Sequence, residues 1–178
     1  MEGSDEALML SYREGGAAAF EELYRRHKAA LFRFVLRSVR DRALAEELYQ
    51  EIWMRVIEAR SRYEPQAKFT TWLFTIAHHR LVDHWRKKGL QLAALHEATD
   101  PPGAPDLEPH HIVEGKQGLE RFLRGLEALP PAQREAFLLH QEAGMNVAEI
   151  ARATGANEEA AKSRLRYALS KLKEALAE

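Results

Sequence analysis

Residues 146–170 read NVAEIARATGANEEAAKSRLRYALS, the pattern of two short helices joined by a tight turn. Asn146 is well placed as an N-cap, and Glu149, three residues later, completes a capping-box arrangement. The first helix stops at Gly155, because a tight turn favours a residue that tolerates a positive φ. Asn157 can cap the second helix, which we predict to run to about residue 177. The stretch therefore predicts a helix-turn-helix.

The exposed side of the second helix is basic. Residues 160–173 contain five Lys or Arg and no Asp or Glu. Such a helix fits the major groove of DNA, where Lys and Arg can contact guanine O6 and N7 or nearby phosphates. The alternative is a solvated basic helix end that offsets its own dipole. The predicted DNA contacts are Lys162, Ser163, Arg164, Arg166 and Tyr167.

A second basic segment, in the first half of the chain, interleaves cations with aromatic residues. Residues 60–90 carry seven Lys or Arg against two acidic residues, although the whole chain has a net charge of -1. Cations follow a phosphate backbone and aromatic faces receive unstacked bases, so the segment predicts contact with melting DNA, with loop 61–68 as the candidate pocket. The alternative for the aromatic residues is a place in the core. The predicted contacts are Arg62, Tyr63, Lys68, Trp72, His78, His79, Arg86 and Lys87.

The rest of the chain has apolar residues at helical spacing and no alternating strand pattern. Four of the seven prolines lie within 99–109 together with three acidic residues, a composition typical of a linker. We therefore predict an all-α chain of two small helical domains, at 1–92 and 117–178, joined by a flexible acidic linker at 93–116. Helices are predicted at 17–40, 43–59, 69–88, 117–128 and from Pro131 onward.

Composition limits the other classes of function. The chain has no Cys, which excludes disulfides and thiolate metal sites. It has no stretch that resembles a signal peptide or a membrane span, so we expect a cytoplasmic protein without membrane insertion. Its eight His invite a metal site, but HExxH, P-loop and Gly-rich fingerprints are absent. We predict no enzyme activity, no metal and no cofactor.

Two stretches resemble a known family. The run LAEELYQEIWMRV at 44–56, followed by a Pro-containing loop and by FTTWLFTIAHHRLVDHWRKK at 69–88, resembles region 2 of the extracytoplasmic-function sigma factors. Residues 129–176 resemble region 4 of the same family. The two stretches stand in the family's order, without a region 3 domain between them.

The resemblance implies a factor that binds core RNA polymerase, directs it to promoters and promotes strand opening. The helix-turn-helix would read the −35 element, loop 61–68 would hold a flipped base of the −10 element, and the helix at 70–88 would read its upstream edge. The polymerase partners would be the clamp coiled coil of the largest subunit and the flap, and an anti-sigma factor would be one route of control. Polymerase docking is expected from Leu48, Gln50, Glu51 and Met54.

Two positions depart from the family's pattern. The chain reads IAHH where family members often read IARN, so His79 stands in place of the usual Asn before Asp83. The recognition helix opens NEEAAKS where the family favours sequences such as GTVKS, so Glu158 and Glu159 precede its cations. The alternative function is a helix-turn-helix regulator that acts as a dimer without being a polymerase subunit.

Overall fold

The computed structural model describes residues 3–89 and 115–177, which are helical with connecting turns and contain no strand. The predicted linker at 93–116 therefore lies almost wholly outside the described residues. The N-terminal domain (3–89) contains α1 (Asp5–Arg13), α2 (Ala17–Val39), α3 (Arg42–Ala59), a 3-10 turn (Arg60–Arg62) and α4 (Phe69–Lys87). The C-terminal domain (115–177) contains α5 (Gly115–Ala128), α6 (Pro131–Ala143), α7 (Val147–Thr154) and α8 (Glu158–Ala177).

The N-terminal domain begins with α1, a helix that the sequence analysis did not predict separately. The Ser4 hydroxyl accepts a hydrogen bond from the Ala7 backbone N–H at 3.0 Å, which caps the helix. Its apolar face, Leu8, Met9 and Tyr12, is buried against α2 and α4. This short helix therefore belongs to the domain core.

The C-terminal domain contains the predicted helix-turn-helix. Asn146 Oδ1 accepts from the Glu149 N–H at 2.8 Å, and Glu149 Oε1 accepts from the Asn146 N–H at 3.2 Å, so the capping box is present. Gly155 ends α7 with φ +71°, the left-handed conformation expected of the turn. Asn157 Oδ1 accepts from the Ala160 N–H at 2.8 Å at the start of α8. Turn chemistry therefore fixes where α8 begins.

The two domains pack against each other along a surface that we call the seam, where α2 and α4 meet α6 and α7. Arg134 of α6 is buried there and donates hydrogen bonds to four backbone carbonyls. Three belong to the end of α5, namely Leu126 at 3.1 Å, Glu127 at 3.2 Å and Leu129 at 2.9 Å. The fourth is Ser38 at the end of α2, at 2.8 Å. One guanidinium thus satisfies the carbonyls of two helix C-termini in different domains.

Candidate nucleic-acid interface

The predicted DNA contacts on α8 differ in exposure. Lys162 is exposed, and Ser163, Arg166 and Tyr167 are half-buried. Arg164 is only 5% exposed. Burial lowers the pKa of its guanidinium, and the nearby Glu135 carboxylate opposes that effect. In this conformation the Arg164 side chain faces inward toward α6, so its contact with DNA stays a prediction that requires the side chain to be uncovered.

The predicted DNA contacts in loop 61–68 and on α4 also differ in exposure. Tyr63 is fully buried, and its ring packs edge-on against Trp72 with centroids 5.1 Å apart. His78 is buried at the seam. In this conformation Tyr63 belongs to the core and His78 to the seam, so contact of these two side chains with DNA stays a prediction. Of the others, Trp72 is half-buried, while the exposed residues are Arg62, Lys68, His79, Arg86 and Lys87.

A cavity of about 320 Å³, broadly open to solvent, lies beside the loop, and its volume is near the lower end of those of ligand pockets. We call it the loop cavity. Arg152 of α7 completes it from the other domain and was not predicted, since the sequence of α7 does not indicate that it faces α4. The residues from the N-terminal domain are Arg62, Glu64, Gln66, Ala67, Thr71, Trp72 and Thr75.

His78 and Glu135 form an ion pair across the seam. Nδ1 of His78 lies 2.8 Å from each carboxylate oxygen of Glu135. Burial lowers the pKa of His78, but the charge of Glu135 and the hydrogen bond to it outweigh burial, so the pKa lies above its ordinary value. The neighbouring His79 behaves oppositely: burial, followed by the charge of His78, lowers its pKa. The pKa values of the two adjacent imidazoles are therefore shifted in opposite directions from the ordinary value.

Further ion pairs cross the seam. Glu142 of α6 contacts Arg33 at 2.8 Å and Arg37 at 2.5 Å. Lys68 contacts Glu149 at 3.3 Å, which joins the loop to α7. Arg40 contacts Glu127 at 3.1 Å. In these pairs, as in His78–Glu135, the cation comes from the N-terminal domain and the carboxylate from the C-terminal domain.

The predicted polymerase-docking residues lie on α3. Gln50 is exposed, and Met54 is 54% exposed, the highest value among the exposed large apolar side chains of residues 3–89 and 115–177. Glu51 is half-buried and pairs with Arg80 of α4. Leu48 is fully buried in the core of the free factor, and its contact with a partner stays a prediction. Its side chain points away from the face that carries Gln50 and Met54, because α3 turns its apolar stripe inward.

Residues 3–89 and 115–177 contain no group of three or more His, Asp or Glu side chains arranged to hold a metal ion. None of the helices in this part of the chain is long and apolar enough to cross a membrane.

Comparison with known proteins decides the family. The sequence profile of sigma-70 region 2 matches residues 23–91, and that of sigma-70 region 4 matches residues 119–172. The RNA polymerase sigma factor CarQ of Myxococcus xanthus is 36% identical over 174 residues, which cover 96% of each chain. The ECF RNA polymerase sigma factor SigK of Mycobacterium tuberculosis is 31% identical over 96% of this chain and 92% of its own. The chain belongs to the extracytoplasmic-function family of RNA polymerase sigma factors.

This sigma factor directs RNA polymerase to promoters. It is a non-enzymatic polymerase subunit, as predicted, and the interpretation as a sigma factor is confirmed over that of a dimeric regulator. The all-α fold with a region 2 domain and a region 4 domain is also confirmed.

Two solved structures have a similar fold. CnrH, in complex with the cytosolic domain of CnrY, has a TM-score of 0.72 with 23% identity and covers 98% of both chains. The sigma factor RpoE of Bartonella quintana, in complex with the anti-sigma factor NepR, has a TM-score of 0.69 with 26% identity. That likeness covers 89% of this sigma factor and 96% of RpoE.

Proposed function

We propose that this sigma factor recognises its promoters at two sites, with α8 on the −35 duplex and with loop 61–68 and α4 on the −10 element, where it promotes strand opening. The observation that carries the proposal is the loop cavity, because it joins an aromatic wall, Trp72, to the exposed cation Arg62. A base that leaves the stack needs a pocket with an aromatic face, and its phosphates need a cation nearby.

Within the proposal, α8 enters the major groove with its N-terminal half toward the bases. Lys162 is the exposed cation of that half, and the fixed turn at Gly155 sets its position. Ser163, Arg166 and Tyr167, each half-buried, lie beside it and are suited to phosphates or base edges.

The −10 element is assigned to the exposed cations around the loop cavity. Lys68 and Arg62 lie in or beside the loop, and Arg86 and Lys87 continue along α4. His79 is exposed at the position where the family usually has Asn. A neutral imidazole has one donor and one acceptor on separate nitrogens, so we expect a different base preference at the position that it reads.

Promoter binding requires the seam to open. Arg164 is buried, His78 is paired with Glu135, and Arg152 of α7 lines the loop cavity. Duplex DNA rises about 3.4 Å per base pair, so two elements many base pairs apart cannot both meet helices that touch each other. We therefore expect α7 and α8 to leave α4 when the factor is bound to promoter DNA. Arg152 then leaves the loop cavity, and the walls that remain to receive a base are those of the N-terminal domain, with Trp72 and Arg62.

The proposed polymerase contacts are Gln50, Glu51 and Met54 on α3, with the clamp coiled coil of the largest subunit and the flap as partners. In this assignment the exposed Met54 would bury apolar surface against the partner. An anti-sigma factor is the proposed regulator. It is supported by the solved relative RpoE, which is in complex with the anti-sigma factor NepR. The factor would act in the cytoplasm, where polymerase meets DNA.

Transcription in vitro tests the proposal. Core polymerase is combined with the factor and a fragmented genomic library, and transcript 5′ ends are sequenced. We expect the start sites to share one upstream motif pair at fixed spacing, and to vanish when the factor is omitted. A stable dimer that binds a palindrome tightly without polymerase, with no factor-dependent start site, would contradict it.

A further inference from the structure

Helix α1 lies outside residues 23–91, the part of the chain that matches the region 2 profile, yet it contacts the loop beside the loop cavity. Arg13 at its end donates a hydrogen bond from Nη1 to the Tyr63 carbonyl oxygen at 2.9 Å. Arg60 donates from Nη1 to the Tyr12 hydroxyl at 3.2 Å, and its guanidinium lies 5.2 Å from the centre of the Tyr12 ring. Two consecutive residues of α1 thus hold the segment 60–63.

Tyr63 connects these contacts to the loop cavity. Its neighbours in sequence, Arg62 and Glu64, both line the cavity. Its own ring is fully buried and packs edge-on against Trp72, the aromatic wall of the cavity. Burial raises the pKa of Tyr63 to about 12, and Glu6 and Asp5 of α1 add to the rise, which agrees with a neutral phenol enclosed beside α1.

The contacts also reach the far end of the loop. Asp5 of α1 accepts from His27 of α2 across 2.9 Å, and the His27 ring lies 5.2 Å from that of Phe69, the first residue of α4. Within the loop, Gln66 donates two hydrogen bonds to Glu64, from its side chain to the carboxylate at 3.0 Å and from its backbone N–H to the carbonyl oxygen at 2.8 Å. The two ends of the loop, in contrast, are held by contacts from α1 and α2.

We infer that α1 is part of the −10 recognition apparatus, with Arg13 and Tyr12 as positioning residues that fix the segment 60–63 so that the loop cavity has the shape to accept a flipped base. Neither residue contacts DNA in this arrangement. Arg13 holds the backbone of Tyr63, and Tyr63 holds Trp72 in place. The inference rests on the proposed function of the loop cavity.

The test uses the holoenzyme reconstituted from core polymerase and the full chain. The probe is a labelled single-stranded oligonucleotide with the non-template −10 sequence found in the transcription experiment, together with a series in which one base at a time is replaced by an abasic site. We expect wild type to lose about tenfold in affinity at the captured base, the effect of one stacked base. In Arg13→Ala this loss should shrink to about threefold or less. Arg13→Lys keeps the charge and N–H donors but not the planar guanidinium, so its loss should lie between those of wild type and Arg13→Ala.

Tyr12→Phe gives a second measurement that keeps the packing of the ring and removes the hydroxyl that accepts from Arg60. Like Arg13→Ala, this substitution should reduce the loss of affinity that an abasic site causes at the captured base. The matched control is Arg25→Ala, because Arg25 is an exposed arginine of α2 whose ion-pair partner among residues 3–89 and 115–177 is Glu22, three residues earlier. A merely structural role would lower polymerase binding and thermal stability and leave the ratio between intact and abasic probes unchanged.

Two outcomes remain distinct. If Arg13→Ala and Tyr12→Phe both lose as much affinity at the abasic site as wild type does, the inference is overturned and the proposed function stays in place. A wild-type holoenzyme with no preference between intact and abasic probes overturns both, because the loop cavity then captures no base.

Discussion

Nδ1 of His78 lies 2.8 Å from both carboxylate oxygens of Glu135, and this pair joins the helix proposed to read the −10 element to the domain that contains the recognition helix. The groups that face His78 are Glu135, Arg164 and His79. Glu135 and its hydrogen bond outweigh the effect of burial, so the pKa of His78 is raised. The charge on this contact across the seam therefore depends on whether His78 is protonated.

Replacing Glu135 with Gln should lower the pKa of His78, because the carboxylate that stabilises the imidazolium is gone while burial remains. Nuclear magnetic resonance of the histidine side chains against pH measures the change. His84 is the internal control: burial, then Lys88, lowers its pKa, and Glu135 is not among its neighbours, so its titration should be the same in both proteins. An unchanged His78 titration in Glu135→Gln would contradict the ion pair.

Acid should favour the closed seam. The pKa of His78 is raised in the closed form, so its contribution to closure is complete below its ordinary value of about 6.5 and is lost as the pH rises through the raised value. Because the chain has no Cys, dyes attached at Glu58→Cys and Lys173→Cys can report domain separation by energy transfer. We expect transfer to fall from about pH 5 to pH 8 in wild type, and His78→Gln should flatten the curve.

Glu142→Gln should weaken the seam by about 1–2 kcal/mol, since this carboxylate, whose side chain is 6% exposed, is shared by Arg33 and Arg37. The same dye pair measures the fraction of closed molecules. Glu46→Gln is the control, because Glu46 pairs with Arg42 on the surface of α3, where an ion pair contributes about 0.5 kcal/mol or less. If the two substitutions changed the fraction of closed molecules equally, Glu142 would not stabilise the seam.

Arg134→Met should destabilise the folded chain by about 3 kcal/mol or more, because it leaves the buried carbonyls of two helix ends without a donor. Urea unfolding followed by circular dichroism measures this loss. Arg134→Lys should recover only part of it, since an ammonium cannot match the planar guanidinium. Arg40→Met, at an exposed arginine whose pair with Glu127 crosses the same seam, should cost less than about 1 kcal/mol. If Arg134→Met lowered the free energy of unfolding by less than about 1 kcal/mol, Arg134 would not be needed to satisfy the carbonyls at these helix ends.

Lys162→Ala should weaken use of the −35 element by about 1–3 kcal/mol if Lys162 contacts a base edge. Transcription from templates with single −35 substitutions measures both the loss and the relaxed preference. Lys173→Ala, at an exposed lysine about three turns further along the same helix, should leave the base preference unchanged. Unaltered promoter selectivity in Lys162→Ala would remove this residue from the recognition set.

The helix-turn-helix could be predicted from sequence because its determinants are local. Asn146, Glu149, Gly155 and Asn157 act within a few residues, through caps and a left-handed turn. The seam could not be predicted this way, because His78 and Glu135 are 57 residues apart and no periodicity relates them. A basic, aromatic segment likewise does not reveal which of its side chains turn inward.

Leu48 and Tyr63 illustrate the same limit. The family resemblance includes Leu48 among the docking residues, whereas helical spacing assigns it to the apolar stripe of α3, and it is fully buried there. Tyr63 is in a loop, where no periodicity indicates the direction of a side chain. Only its contact with Trp72 and the hydrogen bond from Arg13 to its carbonyl reveal that it is structural.

In the ion pairs that cross the seam, the cations belong to the N-terminal domain and the carboxylates to the C-terminal domain, and this arrangement affects how the free factor responds to salt. Carboxylates of the C-terminal domain neutralise Arg33, Arg37, Lys68 and His78 much as phosphates would. Added ions screen those internal contacts, which frees the N-terminal domain, and they also weaken any contact with a DNA backbone. The two effects oppose each other. Binding of single-stranded promoter DNA by the free factor should therefore fall less steeply with ionic strength than the number of its phosphate contacts would dictate.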